Sequence, residues 1–305
     1  MNFTVAIGPS SFAEENAAPR HLLENAGITI KDNPFGRRLT EEEIIEHLRD
    51  CDGLIAGLEP LNRTVLASAA PRLKAIARVG IGVANVDFDA AAEFNIKVAS
   101  TPEGPIEAVA EMTVAALLAM NRRLLSTNEA LHQGKWKKEI GAGLCGTRVL
   151  LIGYGRIGRR TGELLSAFGA QLLVCDPCVT EESLKRGERH VSLDEGLAEA
   201  EAISLHAAGE TCILGDAEFS KMKPGVVLLN SARGKLVDEQ ALIRALEAGI
   251  VAQTWFDALW QEPYTGPLTG YSQALLTPHI ATYTRQCRLD MESAAVRNLL
   301  RDLGC

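Results

Sequence analysis

Three side chains of complementary chemistry, Arg233, Glu262 and His279, stand just beyond apolar runs in the second half of the chain. Arg233 lies in Asn230-Ser231-Ala232-Arg233-Gly234, Glu262 in Gln261-Glu262-Pro263, and His279 in Thr277-Pro278-His279. A guanidinium grips a carboxylate in two-point geometry. An imidazole moves a proton near neutral pH, and an anionic neighbour orients such a ring. Beside a nicotinamide, these parts suit an oxidoreductase acting on a 2-hydroxy or 2-oxo acid. Singly, each would be an ion-pair partner, a helix-end charge or a loop histidine. Together, at the ends of expected strands, they form a candidate catalytic site.

The nucleotide that such chemistry requires has its own signature. The apolar run Arg148–Ile152 leads directly into Gly153-Tyr154-Gly155-Arg156-Ile157-Gly158 and then into a helical pattern. Gly153 permits the turn, Gly155 lets backbone approach a pyrophosphate, and Gly158 allows close helix packing, with helix amides aimed at the phosphates. A second apolar run, 171–175, ends in Asp176, about 20 residues on, where a ribose-binding acid is expected. Because Asp176 would repel a 2′-phosphate and Pro177-Cys178 offers no cation, NAD is expected over its phosphorylated form.

Elements able to position these groups alternate along the chain. Residues 3–7, 28–30, 53–56, 73–77 and 96–99 read as strands of a parallel sheet separated by helices. One helix follows Thr40, an N-cap with Glu43 at the capping-box position. From Thr101-Pro102, a helix over Ile106 to about Leu125 is apolar beyond a single face and reads as a crossover between domains. The alternation resumes at Arg148 and runs through 202–206, 225–230, 251–257 and 274–279, and residues 281–302 are helical again. His21, His47, His132 and His190 are expected to face solvent, while Trp255, Phe256 and Trp260 read as packing residues.

With 305 residues, of which 47% are hydrophobic and 23% charged, the chain suits two globular domains. A net charge of −8 without a long basic run argues against a nucleic-acid partner. No apolar stretch approaches the roughly 20 residues of a membrane span, and Met1 to Gly8 reads as a strand rather than a targeting signal. Seven irregularly spaced cysteines argue for reduced thiols and a cytoplasmic location. Cys175-Asp176-Pro177-Cys178 has no second pair at zinc spacing, so no metal is expected.

In its ordered motifs the chain resembles the D-isomer-specific 2-hydroxyacid dehydrogenase family, particularly the phosphoglycerate dehydrogenase-like branch. Beyond the glycine loop, the resemblance rests on Arg78 to Asp87, Thr101-Pro102 to Glu111, Met222 to Gly225, Asn230 to Leu242, Asp257 to Pro263 and Thr277-Pro278-His279. It implies an α/β fold of two domains. A Rossmann-type doubly wound parallel sheet over 101–281 would bind the cofactor, and a flavodoxin-like substrate domain would comprise 1–100 and 282–305. It also implies a homodimer built on the cofactor domain. Arg233, Glu262 and His279 would be the catalytic triad, with Ile81 and Gly82 amides on the substrate carboxylate and Arg78 the adjacent cation. NAD would meet Gly153, Tyr154, Gly155, Arg156, Ile157, Gly158, Asp176, His206, Ala207, Ser231 and Ala232, and Asp257 would contact the nicotinamide carboxamide. The implied activity interconverts a D-2-hydroxy acid and its 2-oxo acid, with D-3-phosphoglycerate dehydrogenase one candidate. A glyoxylate or hydroxypyruvate reductase and a non-catalytic NAD(H)-sensing protein are the alternatives. Four features depart from the family pattern: Ala84 for Asp, Pro105 for Asn, Gly57 for a phosphate-gripping arginine, and a shortened segment after His206.

Overall fold

A computed structural model describes residues 3–305; Met1 and Asn2, which also belong to the N-terminal segment read above, lie outside the described residues. The chain divides into two compact units, Met1–Pro105 with Tyr283–Cys305, and Ile106–Thr282. The first boundary falls at the first turn of a helix rather than ahead of it at residue 101.

The first unit contains β1 (Thr4–Ile7), α1 (Ala18–Asn25), β2 (Thr29–Lys31), α2 (Glu41–His47), β3 (Gly53–Ala56), α3 (Arg63–Ala69), β4 (Ala75–Arg78), α4 (Phe88–Glu93) and β5 (Lys97–Ala99). Its five parallel strands are ordered β2-β1-β3-β4-β5, the flavodoxin-like arrangement. Strands β3 and β4 are buried at every position, which is why, apart from Arg78 at the end of β4, their sequences are continuously apolar or small rather than alternating. The capping box of α2 is present: Glu43 N–H donates to Thr40 Oγ1 at 3.4 Å, and Thr40 N–H donates to Glu43 Oε2 at 2.9 Å.

The second unit follows with α5 (Pro105–Asn121), α6 (Leu124–His132), β6 (Arg148–Ile152), α7 (Arg156–Ala167), β7 (Gln171–Cys175), β8 (Glu188–His190), α8 (Leu193–Glu199), β9 (Ala202–Leu205), α9 (Asp216–Phe219), β10 (Val226–Asn230), α10 (Glu239–Glu247), β11 (Val251–Phe256) and β12 (Ala274–Leu276). Seven parallel strands lie in the order β12-β11-β10-β9-β6-β7-β8. Strand β6 therefore has β7 on one side and β9 on the other, and the winding reverses there, opening a crevice at the carboxyl ends. Val114, Leu117 and Met120 of α5 pack with Val149, Leu151 and Trp255 on one face of this sheet. The opposite face carries a second core containing Leu150, Ile203, Leu228 and Leu242. Helix α11 (Arg285–Leu303), capped by Thr284 accepting from Cys287 N–H, belongs to the first unit.

Two expectations are corrected. The helix expected to reach Leu125 stops at Asn121, because Arg123 adopts a left-handed conformation (φ 53°) before α6 begins. His47 does not face solvent: it is 4% exposed, and its Nε2 lies 3.0 Å from Ile7 O. Burial holds this imidazole below its usual pKa. His21, His132 and His190 are exposed. Thr40→Ala, which removes the acceptor for Glu43 N–H, is expected to destabilise the protein by about 1 kcal/mol, measured as a shift in the urea midpoint.

Candidate active site

Loops at the carboxyl ends of the second sheet hold the sequence-identified groups. Gly153 has φ 91°, and a Cβ there would lie 2.5 Å from Ala207 N and 2.6 Å from His206 C, so the turn and the β9 loop share one space. On Gly158, a Cβ would lie 2.2 Å from Gly153 O. One on Gly155 would meet nothing within 4 Å, and no side chain caps α7, so the start of this helix after the glycine turn suits an anion. Asp176 is fixed beside this loop, Oδ2 accepting from Tyr154 N–H at 2.6 Å and Oδ1 from Cys178 N–H at 2.8 Å. The buried Tyr154 hydroxyl donates to Glu188 Oε1 at 2.5 Å, tying β8 to the turn. A phosphate-accepting helix start with a carboxylate on the neighbouring strand fits the dinucleotide expected from the sequence.

Around the same crevice, His206 Nε2 lies 2.9 Å from Ser204 Oγ. The residue is half-buried, and desolvation of its ring pushes its pKa down to about 4. Ser231 and Ala232 are half-buried on the loop after β10; Ser231 Oγ lies 3.5 Å from Thr113 Oγ1, and Ala232 N–H donates to Asn230 Oδ1 at 3.0 Å. The other end of the Asn230 amide donates to Arg233 O at 2.8 Å, so one side chain braces both sides of the Arg233 turn. Sequence reading quoted Asn230 without assigning it this role; an asparagine at a strand end is a turn-forming signal that could have found it.

Glu262 and His279 meet directly. His279 Nδ1 lies 2.9 and 3.0 Å from the two Glu262 oxygens, leaving Nε2 for proton exchange. Burial works to raise the Glu262 carboxyl, but the His279 hydrogen bond and the positive charges of His279 and Arg233 outweigh it and hold the group below its usual range. Leu259 N–H adds a 3.3 Å hydrogen bond to Glu262. Arg233 joins through Gly234, where a Cβ would lie 2.4 Å from Leu259 C and 2.5 Å from Trp260 N. Close backbone contact thus sets the arginine turn against the glutamate loop. Trp260 packs on Phe256 with ring centroids 4.8 Å apart, and its indole donates to Val237 O at 2.7 Å, anchoring that loop.

The histidine loop depends on Asp257, which is 1% exposed. Oδ1 accepts from Thr277 Oγ1 at 2.6 Å and Ile280 N–H at 2.9 Å, while Oδ2 accepts from Ala281 N–H at 2.9 Å. His279 itself is left-handed, φ 55°, with its N–H 2.9 Å from both Asp257 O and Thr277 O. Thr277 also receives the Trp255 indole hydrogen bond at 3.0 Å.

The remaining expected residues lie in the first unit. Arg78 ends β4, is 8% exposed, and donates through Nη1 to Val79 O. Gly80, φ 133°, turns the chain toward Ile81 and Gly82, its N–H donating to Thr101 Oγ1 at 2.8 Å. Ile81 is 41% exposed and Gly82 half-buried.

A nucleotide-binding parallel sheet bearing an Arg, Glu and His constellation defines a dehydrogenase-type class of protein. Residues 114–281 match the family model "D-isomer specific 2-hydroxyacid dehydrogenase, NAD binding domain". The chain belongs to this D-isomer specific 2-hydroxyacid dehydrogenase family, and its cofactor is NAD. It is 32% identical over 276 residues to D-3-phosphoglycerate dehydrogenase of Sus scrofa, a match covering 88% of this chain and 51% of that protein. The chain thus spans about half the length of the curated relatives it matches. Among solved structures, the TT0316 protein of Thermus thermophilus is 32% identical with a TM-score of 0.89, covering 99% of this chain and 97% of that one. A glyoxylate reductase from Paecilomyes thermophila is 30% identical with a TM-score of 0.85, covering 98% and 94%.

Because the folded His206 pKa, about 4, lies below the ordinary 6.5, the unfolded chain binds the extra proton between those values. Stability is therefore expected to fall as pH drops from 6.5 toward 4. The urea midpoint of His206→Gln should decline less over the same interval.

Proposed function

We propose that the protein is an NAD-dependent oxidoreductase interconverting a D-2-hydroxy acid and its 2-oxo acid. The observation that carries this reading is His279 Nδ1 held on both Glu262 oxygens, with Arg233 on the adjoining turn, in the unit that matches an NAD binding domain. Bound NADH supplies hydride to C2 of the 2-oxo acid. Arg233 clamps and polarises the substrate, and protonated His279 donates from Nε2 to the forming alkoxide. Glu262, held ionised by its low pKa, orients the ring and stabilises its charge. In the oxidative direction His279 accepts the proton.

On this reading the second unit is the cofactor domain, and the first is the substrate domain, where Ile81 and Gly82 amides and Arg78 meet the substrate carboxylate. Asp257 would steady the nicotinamide carboxamide as well as the histidine loop. Exposed Leu124, Leu125, Leu131, Trp136 and Ile140 on α6 and the segment after it support a homodimer built on the cofactor unit. The seven free cysteines support a reducing, cytoplasmic setting. D-3-phosphoglycerate and glyoxylate or hydroxypyruvate are rival substrates. The similarity to the Sus scrofa dehydrogenase favours the first, and the near-full-length similarity to a glyoxylate reductase favours the second.

NADH oxidation with glyoxylate, hydroxypyruvate and 3-phosphohydroxypyruvate tests the proposal. Turnover of at least one is expected; NADH binding without any turnover would identify a sensor instead. Arg233→Lys keeps the charge but loses two-point geometry, so kcat/KM should fall about ten- to a hundredfold with NADH affinity little changed. NADH should be preferred over NADPH, and Asp176→Ala should narrow that preference; equal use of both by the unmodified protein would count against Asp176 as the selecting group.

A further inference from the structure

Trp255 is fully buried in the core that includes Val114, Leu117, Met120, Val149 and Leu151, and packing accounts for its carbon atoms. It does not account for its nitrogen. The indole N–H donates to Thr277 Oγ1 at 3.0 Å, and Thr277 Oγ1 donates in turn to Asp257 Oδ1 at 2.6 Å. Trp255 is the penultimate residue of β11 and Asp257 follows its last, so strand alternation turns both side chains the same way, toward Thr277 just past the end of β12. Thr277 N–H donates to Phe256 O at 3.0 Å, which holds the threonine level with them. The direction of these bonds is forced. An indole nitrogen can only donate, and a hydroxyl has a single proton, so Thr277 Oγ1 accepts from Trp255 and must aim its proton at the carboxylate. Asp257 then accepts the Ile280 and Ala281 amides, and its own carbonyl receives His279 N–H at 2.9 Å.

We infer that Trp255 is a positioning residue for the acid–base step: through Thr277 it fixes the Asp257 carboxylate, and through Asp257 the loop that carries His279. The enclosed indole cannot swing away, so it holds the threonine hydroxyl in one rotation. Without the indole the hydroxyl keeps its proton but loses the contact that directs it. This inference rests on the dehydrogenase reading. It gives a residue that reads as core packing a part in the reaction without any contact to substrate or cofactor.

The test is a double-mutant cycle on kcat, counted per NADH-binding site at saturating NADH, with whichever of glyoxylate, hydroxypyruvate and 3-phosphohydroxypyruvate turns over fastest. Thr277→Val should lower kcat about tenfold with little change in the KM of the 2-oxo acid, since the loss falls on the reacting geometry rather than on binding. Thr277→Ser, which restores the hydroxyl, should recover most of that loss. Trp255→Phe alone should lower kcat about threefold to fivefold, and adding it to Thr277→Val should lower kcat no further, because a residue acting through another has no effect once the other is gone. Losses that multiply, to about thirtyfold or more in the double variant, would overturn the proposal. So would a Trp255→Phe protein whose urea midpoint drops while kcat per site holds, the result expected of packing alone. Should either variant fail to fold, benzothienylalanine at position 255, with sulfur where the indole has N–H, removes the donor at nearly constant shape. A fall in kcat there supports the role, and an unchanged kcat overturns it. Failure of the unmodified protein to reduce any 2-oxo acid would instead defeat the dehydrogenase reading beneath it.

Discussion

The candidate acid–base loop hangs on the buried carboxylate of Asp257. Three hydrogen bonds, from the Thr277 hydroxyl and the Ile280 and Ala281 amides, draw the segment around His279 onto the end of β11. A carboxylate so enclosed is tolerated because donors replace its lost water. The loop gains a fixed course in return, with His279 in a left-handed conformation that a non-glycine residue rarely adopts without surrounding constraint. Further along, Glu262 grips the ring rather than the backbone, so the imidazole is held at two levels.

The same economy of means recurs at each strand end. Parallel strands deliver their loops to one edge, but a loop has no ladder of its own, so short side chains supply one. Asn230 brackets Arg233, Asp176 joins the Tyr154 and Cys178 amides, and Thr101 accepts from Gly80. Where side chains would be too large, glycines bring backbones together, as Gly234 does against Leu259 and Trp260.

Much of this was legible from local pattern. Strands buried on both faces announce themselves as apolar runs, and the runs before Gly153 and Asp176 correspond to β6 and β7. The Thr40 and Glu43 box is likewise a local signal. The triad could be named because each member follows such a run. What escaped notice depends on distant partners. His47 looked like a polar position on an amphipathic helix, yet it is covered near the end of β1 and bonded to Ile7 O. Strand β8 is only Glu188-Arg189-His190, without an apolar residue to mark it. The break at Arg123 carries no glycine or proline.

That unmarked strand has a consequence for how the molecule behaves in a crowd. β8 ends the seven-stranded sheet, and an unpaired strand edge is a template on which other chains can assemble. Here the edge is three residues long and wholly polar, with Arg189 paired to Glu199 at 2.5 Å. An incoming strand would find little length to pair with and would have to strip water from charged side chains. The residues that tie the glycine turn through Glu188 therefore also discourage the sheet from growing into its neighbours.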